Sequence, residues 1–371
     1  MDSYKMISSD SHVVEPPDLW QDRIDPRFKE RGPRVVREGD GDYWYVDGLR
    51  TFSFHTGTEA GRRFEEPDKL TAVGLWDDVI EGSYVPSAFI KDNEQDGIDA
   101  SIIYPTAGLG LFTTPDSGLL SAMCRAYNDW LIDFCSAFPR QLLGQAMINV
   151  DDVPDAVAEL RRCRQQGLVG AMLSVYPGED QAYDSPVYEP FWAAAQELDM
   201  PISFHIGTNR GVEGQPLPFI QVKLSKDIAA DYWVRVSLAN MIFAGVFERY
   251  PQLKVISVEH DLCWAPMLLG RMDYTYTQRH RGVALSRFKD GMMPSDFFHR
   301  NVFLSFQEDP VGIRERDLIG VDNLMWGSDY PHQESTFPYS RQVVDRVLEG
   351  VPADERRKIL RDTTARLYNL D

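Results

Sequence analysis

The sequence predicts an α/β protein: one (β/α)₈ or TIM-barrel domain over residues 1–371, with a subregion inserted after the first strand. Three observations carry this. Eight short apolar runs recur along the chain and barely alternate with polar residues, as strands covered on both faces do. Amphipathic stretches of helical period separate them. No GxGxxG turn follows any run, which argues against the rival, an open doubly wound sheet.

The strand runs are 5–8, 100–104, 141–149, 169–175, 201–205, 254–258, 301–305 and 323–327, all rich in Val, Ile, Leu, Met and Phe. Helices are expected over 116–138, 153–166, 186–198, 226–249 and 264–281, with a closing helix over 353–368. In "DDVPDAVAELRRC" an Asp and a Pro stand at helix-entry positions ahead of apolar residues at helical spacing. Residues ~20–85 break the alternation with Gly, Arg and aromatic residues, and "DYWYVDGLRTFSFHTG" reads as a hairpin turning at Val46-Asp47-Gly48. This insertion leaves from the end of a barrel strand where active-site loops sit, so it is expected near the mouth.

Charge narrows the partners. Lys and Arg total 38 against 57 Asp and Glu, a net charge of −19. Such a chain repels nucleic-acid backbones and anionic lipid, leaving a small-molecule substrate. An anionic substrate would need locally placed Arg, Lys or metal charge. No apolar run approaches the ~18 residues that span a bilayer, and the N-terminus has no signal-peptide pattern. Cys124, Cys135, Cys163 and Cys263 form no CxxC pair, so reduced thiols in a cytoplasmic protein are expected.

Barrel chemistry sits at the C-terminal strand ends. The first run leads into Asp10-Ser11-His12, a spacing that puts two side chains on one face of a strand. "MPISFHIGTN" ends in His205, "LKVISVEHDLCW" in Glu259-His260-Asp261, and "NLMWGSDYPHQESTFP" reaches Asp329, His332 and Glu334. Of seven histidines in the chain, four (His12, His205, His260 and His332) fall in these places. Any one alone is more often structural, and a lone Asp after a strand is usually a helix cap. Together, Asp10, His12, His205 and Asp329 offer two imidazoles and two carboxylates at one mouth. That donor set suits one divalent ion, Zn²⁺ or Mn²⁺, with an open position for water or substrate, and no organic cofactor is called for.

The stretches "SSDSHVVEP", "DNEQDGIDASIIYPT", "SPVYEPFWAAAQELDMPISFHIG", "LKVISVEHDLCWAPMLLGRMD" and "NLMWGSDYPHQESTFP" resemble the amidohydrolase-related group of the amidohydrolase superfamily, which includes aminocarboxymuconate-semialdehyde decarboxylase-like enzymes. The resemblance covers nearly the whole chain. It implies Asp10 and His12 as the first-strand metal pair, His205 and Asp329 as further ligands, and His260 as the strand-6 histidine of the decarboxylases. No lysine stands on "LVGAMLSVY", the place of the bridging carboxylated lysine in two-metal members, which favours one metal. Departures exist: Asp10 replaces a His or Glu, Thr364 an Asn, and Cys263 stands where several decarboxylases carry a glutamate.

Two reactions use these parts. In non-oxidative decarboxylation of a small carboxylated, aromatic or unsaturated substrate, Asp329 or His260 protonates the carbon that loses CO₂. In hydrolysis of a C–N, C–O or C–C bond, Asp329 takes a proton from metal-activated water and His260 supports the oxyanion. His260 and the missing lysine tilt the reading to decarboxylation, and Cys263 keeps hydrolysis close behind. A non-catalytic binding barrel would be expected to have lost a metal-site residue, and none is lost. Glu259, Trp264, His332 and Arg210 are candidate pocket residues. Trp44, Tyr45, Phe52 and Phe54 could sandwich a ring, and Arg50, Arg62 and Arg63 could meet a second carboxylate. His55, His280 and His299 are read as structural. The apolar "IAADYWVRVSLANMIFAGVF" exceeds what a monomer's outer ring needs and suggests a homodimer or larger assembly, as does the resemblance.

Overall fold

In the computed structural model the described residues are 6–210, 228–278 and 287–370. Eight parallel strands follow one another around a barrel: β1 (Met6–Val13), β5 (Ile98–Pro105), β6 (Leu142–Met147), β7 (Gly170–Leu173), β8 (Ile202–His205), β9 (Val255–Val258), β10 (Val302–Phe306) and β11 (Leu324–Trp326). Every residue of β6 to β11 is buried, which explains the unbroken apolar runs. The intervening β2 (Arg34–Glu38), β3 (Gly41–Val46) and β4 (Leu49–Ser53) form a separate antiparallel sheet inside the insertion. The expected hairpin is β3–β4, with Asp47 and Gly48 both at positive φ as a tight two-residue turn requires. A third strand, β2, pairs on its far side.

The closing seam joins β1 to the exit of β11. His12 N donates to the Tyr330 carbonyl at 2.6 Å and Asp329 N to the Asp10 carbonyl at 2.9 Å. Ser328 N donates to Ser8 Oγ, and Ser9 Oγ to the Trp326 carbonyl. β1 runs five residues beyond its apolar start because the register shifts between Ser8 and Ser11. Asp10 and His12 therefore lie within the strand rather than past its end. Gly327 permits the close approach, since a Cβ there would stand 2.5 Å from that of Asp10.

The helices agree with the periodicity, with shifted ends. Ser117–Ser136 is capped by Asp116, which accepts from Leu119 N, and Val153–Gln165 by Asp152, which accepts from Asp155 N. The expected helix 226–249 breaks into Asp231–Phe243 and Val246–Arg249, because Gly245 between them sits at φ +72°. Helix Ala265–Gln278 matches the run from 264, whose last residues lie outside the described ones, as does His280. No helix among the described residues is long and apolar enough to cross a membrane.

Candidate metal centre and active-site cavity

Three barrel strands deliver the donor set: Asp10 and His12 from β1, His205 from the end of β8 and Asp329 just past β11. His12 Nε2 lies 3.2 Å from Asp10 Oδ1 and 3.2 Å from Asp329 Oδ1, and His205 Nε2 lies 3.6 Å from Asp10 Oδ1. All four residues are buried. The backbone fixes each imidazole: Nδ1 of His12 donates to the Pro105 carbonyl at 2.8 Å, and Nδ1 of His205 to the Ile206 carbonyl at 3.0 Å. With the proton on Nδ1, each Nε2 presents a bare lone pair to carboxylate oxygens.

Such a cluster holds together only with positive charge inside it, either a second proton on an imidazole, which Asp10 and Asp329 favour on His12 against its burial, or a metal ion. Asp10 Oδ1, His12 Nε2, His205 Nε2 and both oxygens of Asp329 have no hydrogen-bond partner despite complete burial. The three spacings above fit an ion shared at His12, but the donors group two ways: Asp10, His12 and His205 lie within 4.8 Å of one another together with Glu259, while Asp329 groups with His12 and His332. Donors about 2.1 Å from one ion stand roughly 3.0–3.4 Å apart along the edges of an octahedron or tetrahedron. Burial alone would raise the pKa of Asp10, yet His12 and His205 hold it below the usual carboxylate range. Burial opposes ionisation of Asp329 too, and His332 and His12 again bring it down. Two ionised carboxylates and two oriented imidazoles fit one divalent ion.

His332 stands behind this set. Its Nδ1 is 2.9 Å from Asp329 Oδ1, its Nε2 shares a hydrogen bond with Thr106 Oγ1 at 2.9 Å, and its ring centroid lies 4.0 Å from that of His12. It therefore orients Asp329 and is absent from the cavity wall where the sequence placed it. Backbone strain concentrates here: Glu259, Asp261 and Asp329 all have φ between +56° and +63°.

Beyond β9 the chain forms the other wall. Asp309 accepts from Leu262 N and Cys263 N at 2.9 and 2.7 Å, and from Val311 N and Gly312 N at 3.0 and 2.7 Å, pinning the 259–264 turn to the loop after β10. A cavity of about 360 Å³ opens between them, lined among others by Glu259, His260, Cys263, Trp264, Gln307 and Glu334. His260 Nδ1 pairs with Ser257 Oγ at 3.1 Å, while its Nε2 is buried without a partner. Burial pushes the His260 pKa down to about 3, so the ring is neutral. Glu259 Oε2 reaches within 3.7 Å of His205 Nε2. Burial, with the charges of Asp329, Asp10 and Glu334, raises the Glu259 carboxyl well above its ordinary value.

Several expected pocket residues lie elsewhere. Arg210 gives its guanidinium to Asp151 at 2.5 Å and to the carbonyls of Phe112 and Thr114, so its charge is spent in the scaffold. Arg50 pairs with Glu38, Arg62 with Glu59 and Arg63 with Glu308. Trp44 and Phe54 are buried and pack edge-on against Trp20 and Trp76 and tilted against each other, as ordinary packing. Trp264 lines the cavity and donates from Nε1 to the Asp261 carbonyl. Sequence reasoning passed over Gln307 and Asp231. Gln307 directly follows β10, so reading that strand end would have found it, whereas Asp231 carries no local signal.

Imidazoles and carboxylates converging at the C-terminal mouth of a (β/α)₈ barrel define a metal-dependent barrel enzyme. The amidohydrolase family profile matches residues 43–370, and the chain belongs to that family. A gamma-resorcylate decarboxylase of Rhizobium sp. is 26% identical over 275 residues, covering 69% of this chain and 79% of its own. An amidohydrolase from Mycobacterium avium subsp. paratuberculosis superposes with a TM-score of 0.80 at 23% identity, covering 99% of this chain and 100% of that one. A dihydroxybenzoic acid decarboxylase from Polaromonas sp., with bound manganese and the inhibitor 2-nitroresorcinol, gives 0.65 at 17% identity, covering 99% and 97%.

Proposed function

We propose that the protein is a divalent-metal-dependent, non-oxidative decarboxylase of a small hydroxylated aromatic carboxylate. The observation that carries this is the buried, unpartnered donor quartet Asp10, His12, His205 and Asp329 beside a cavity that also holds a neutral histidine. The decarboxylases among its relatives favour this reaction over hydrolysis. Manganese is the ion we favour, because two imidazoles and two carboxylates suit it and the Polaromonas enzyme holds it.

A divalent ion held by Asp10, His12, His205 and Asp329 would supply positive charge to bind an anionic substrate and stabilise charge developing on it. The ring carbon takes a proton, the bond to the carboxylate carbon breaks, its electron pair returns to the ring, and CO₂ leaves. Redox balance is unchanged, so no organic cofactor enters. His260 is placed for the proton's delivery: with Ser257 Oγ donating to Nδ1, the remaining proton sits on Nε2 at the cavity wall. Held neutral, the ring can only relay: Nε2 gives up its proton as Nδ1 takes the one on Ser257 Oγ, which is replaced from solvent, so the ring itself stores no charge. Asp329 is the other candidate, and His332 fixes its position. Trp264 offers an apolar face to a ring. Placement in the cytoplasm accords with four free cysteines. A homodimer or larger assembly accords with the half-exposed Tyr232, Met267 and Tyr274.

The test is a panel of hydroxybenzoates, carboxymuconate-type acids, lactones and amides, incubated with the manganese-loaded protein in D₂O. Decarboxylation yields CO₂ in equal amount with an arene bearing one deuterium at the vacated carbon. Hydrolysis of a lactone or amide without CO₂ release would replace this reading.

A further inference from the structure

The cavity that must admit an anion is walled by carboxylates. Glu259, Asp261, Asp231 and Glu334 all line it. Glu259 and Glu334 have no Lys or Arg partner among the described residues. With the metal centre formed, one divalent ion balances Asp10 and Asp329, and among the described residues no cation faces these two glutamates. A substrate carboxylate entering beside them meets no positive side chain among the described residues.

Glu259, Asp329 and Glu334 each place one oxygen within 4.8 Å of the other two. Asp329 is fully buried, and its Oδ2 has no partner, whereas Oδ1 already faces His12 and His332. An unpartnered, desolvated oxygen between two further carboxylates is a second observation that calls for a cation. Resting on the metal-centre reading above, we propose that Glu259, Asp329 and Glu334 form a second cation subsite, with Asp329 bridging the two ions. Its donors are oxygens alone, which selects a hard, octahedral ion such as Mg²⁺ or Mn²⁺. Three protein oxygens leave several positions for water or for substrate on the cavity side. This ion reverses the sign of the wall and gives an anionic ring substrate its second point of attachment. The missing lysine on the fourth barrel strand does not bear on this subsite, because Asp329 replaces lysine as the bridge.

The experiment is equilibrium dialysis of the chelator-treated full chain against Mn²⁺, with bound metal counted by mass spectrometry and the ions' coupling read by electron paramagnetic resonance. Two ions per chain and an exchange-coupled signal are expected for the wild type. Excess Mg²⁺ should displace one of them and leave the histidine-held ion. Glu334→Gln should bind one ion and show the six-line signal of isolated Mn²⁺. Saturation of the wild type at one ion overturns the subsite while leaving the metal centre standing. Two ions retained in Glu334→Gln overturn its placement. No bound metal in the wild type overturns the metal centre and the subsite together.

Discussion

His260 turns one nitrogen to Ser257 and leaves the other without a partner, and it stands outside the groups of candidate metal donors among the described residues. Its removal should therefore separate chemistry from metal binding. His260→Ala is expected to keep its metal content and lose turnover by roughly 10²- to 10⁴-fold, read as kcat beside a metal assay. Unchanged kcat would remove it from the reaction. Arg210→Ala should do the opposite. Losing contacts to Asp151, Phe112 and Thr114 should cost about 2–3 kcal/mol in chemical denaturation with KM unaltered. The four donors were legible because strand ends are where barrels place chemistry, and their residue types are scarce. The partners of Arg210 were not, since Asp151 lies 59 positions away and nothing local ties the two. Glu334 and Glu259 meet for the same tertiary reason.

The turn after β9 depends on a single acceptor. Asp309 collects four backbone N–H groups from two loops, so Asp309→Ala should leave them unpaired, lower stability by about 2–4 kcal/mol and depress kcat as His260 drifts. Full activity with a shifted melt would show that the loop holds its shape unaided. A second element junction carries a pH signature. Asp96, last residue of helix Pro86–Asp96, accepts from Ser340 N at 2.9 Å and from its hydroxyl at the start of helix Ser340–Val347. Burial pushes its pKa up to about 6 from 3.8. A raised carboxyl pKa favours the folded state most at low pH, and that contribution fades as pH climbs from about 4 through 6, in all about 3 kcal/mol. Asp96→Asn keeps both contacts and should flatten the urea-stability profile over that window. An unchanged slope would assign the dependence to another group. Helices were legible where caps such as Asp116 and Asp152 mark them. β2 was missed because Arg34–Glu38 is half-exposed and charged, and its strand character comes from pairing with β3.

The whole barrel closes where its candidate metal donors lie. The hydrogen bonds that join β1 to the exit of β11 run through Asp10, His12 and Asp329 themselves. Chelation should therefore act on global stability. An ion present at a hundredfold its Kd contributes about 2.7 kcal/mol, which for a chain this size is about 3 °C in Tm. His12→Ala and His205→Ala should each lose metal and abolish that difference, as scanning calorimetry with and without Mn²⁺ would show. A chelator-insensitive Tm in the wild type would uncouple the ion from the seam. The eightfold alternation made this architecture legible from composition and period alone. The insertion's aromatic residues misled because burial in its own small core and lining a cavity favour the same side chains.

Asp10 and Asp329 stand near opposite ends of the chain. A ribosome makes the first pair of candidate ligands more than three hundred residues before it reaches Asp329. Metal capture is thus a late event in biosynthesis, and a product truncated before residue 329 would carry three ligands and no closed barrel. An ion bound there would therefore report that synthesis has passed residue 329 and the seam has closed.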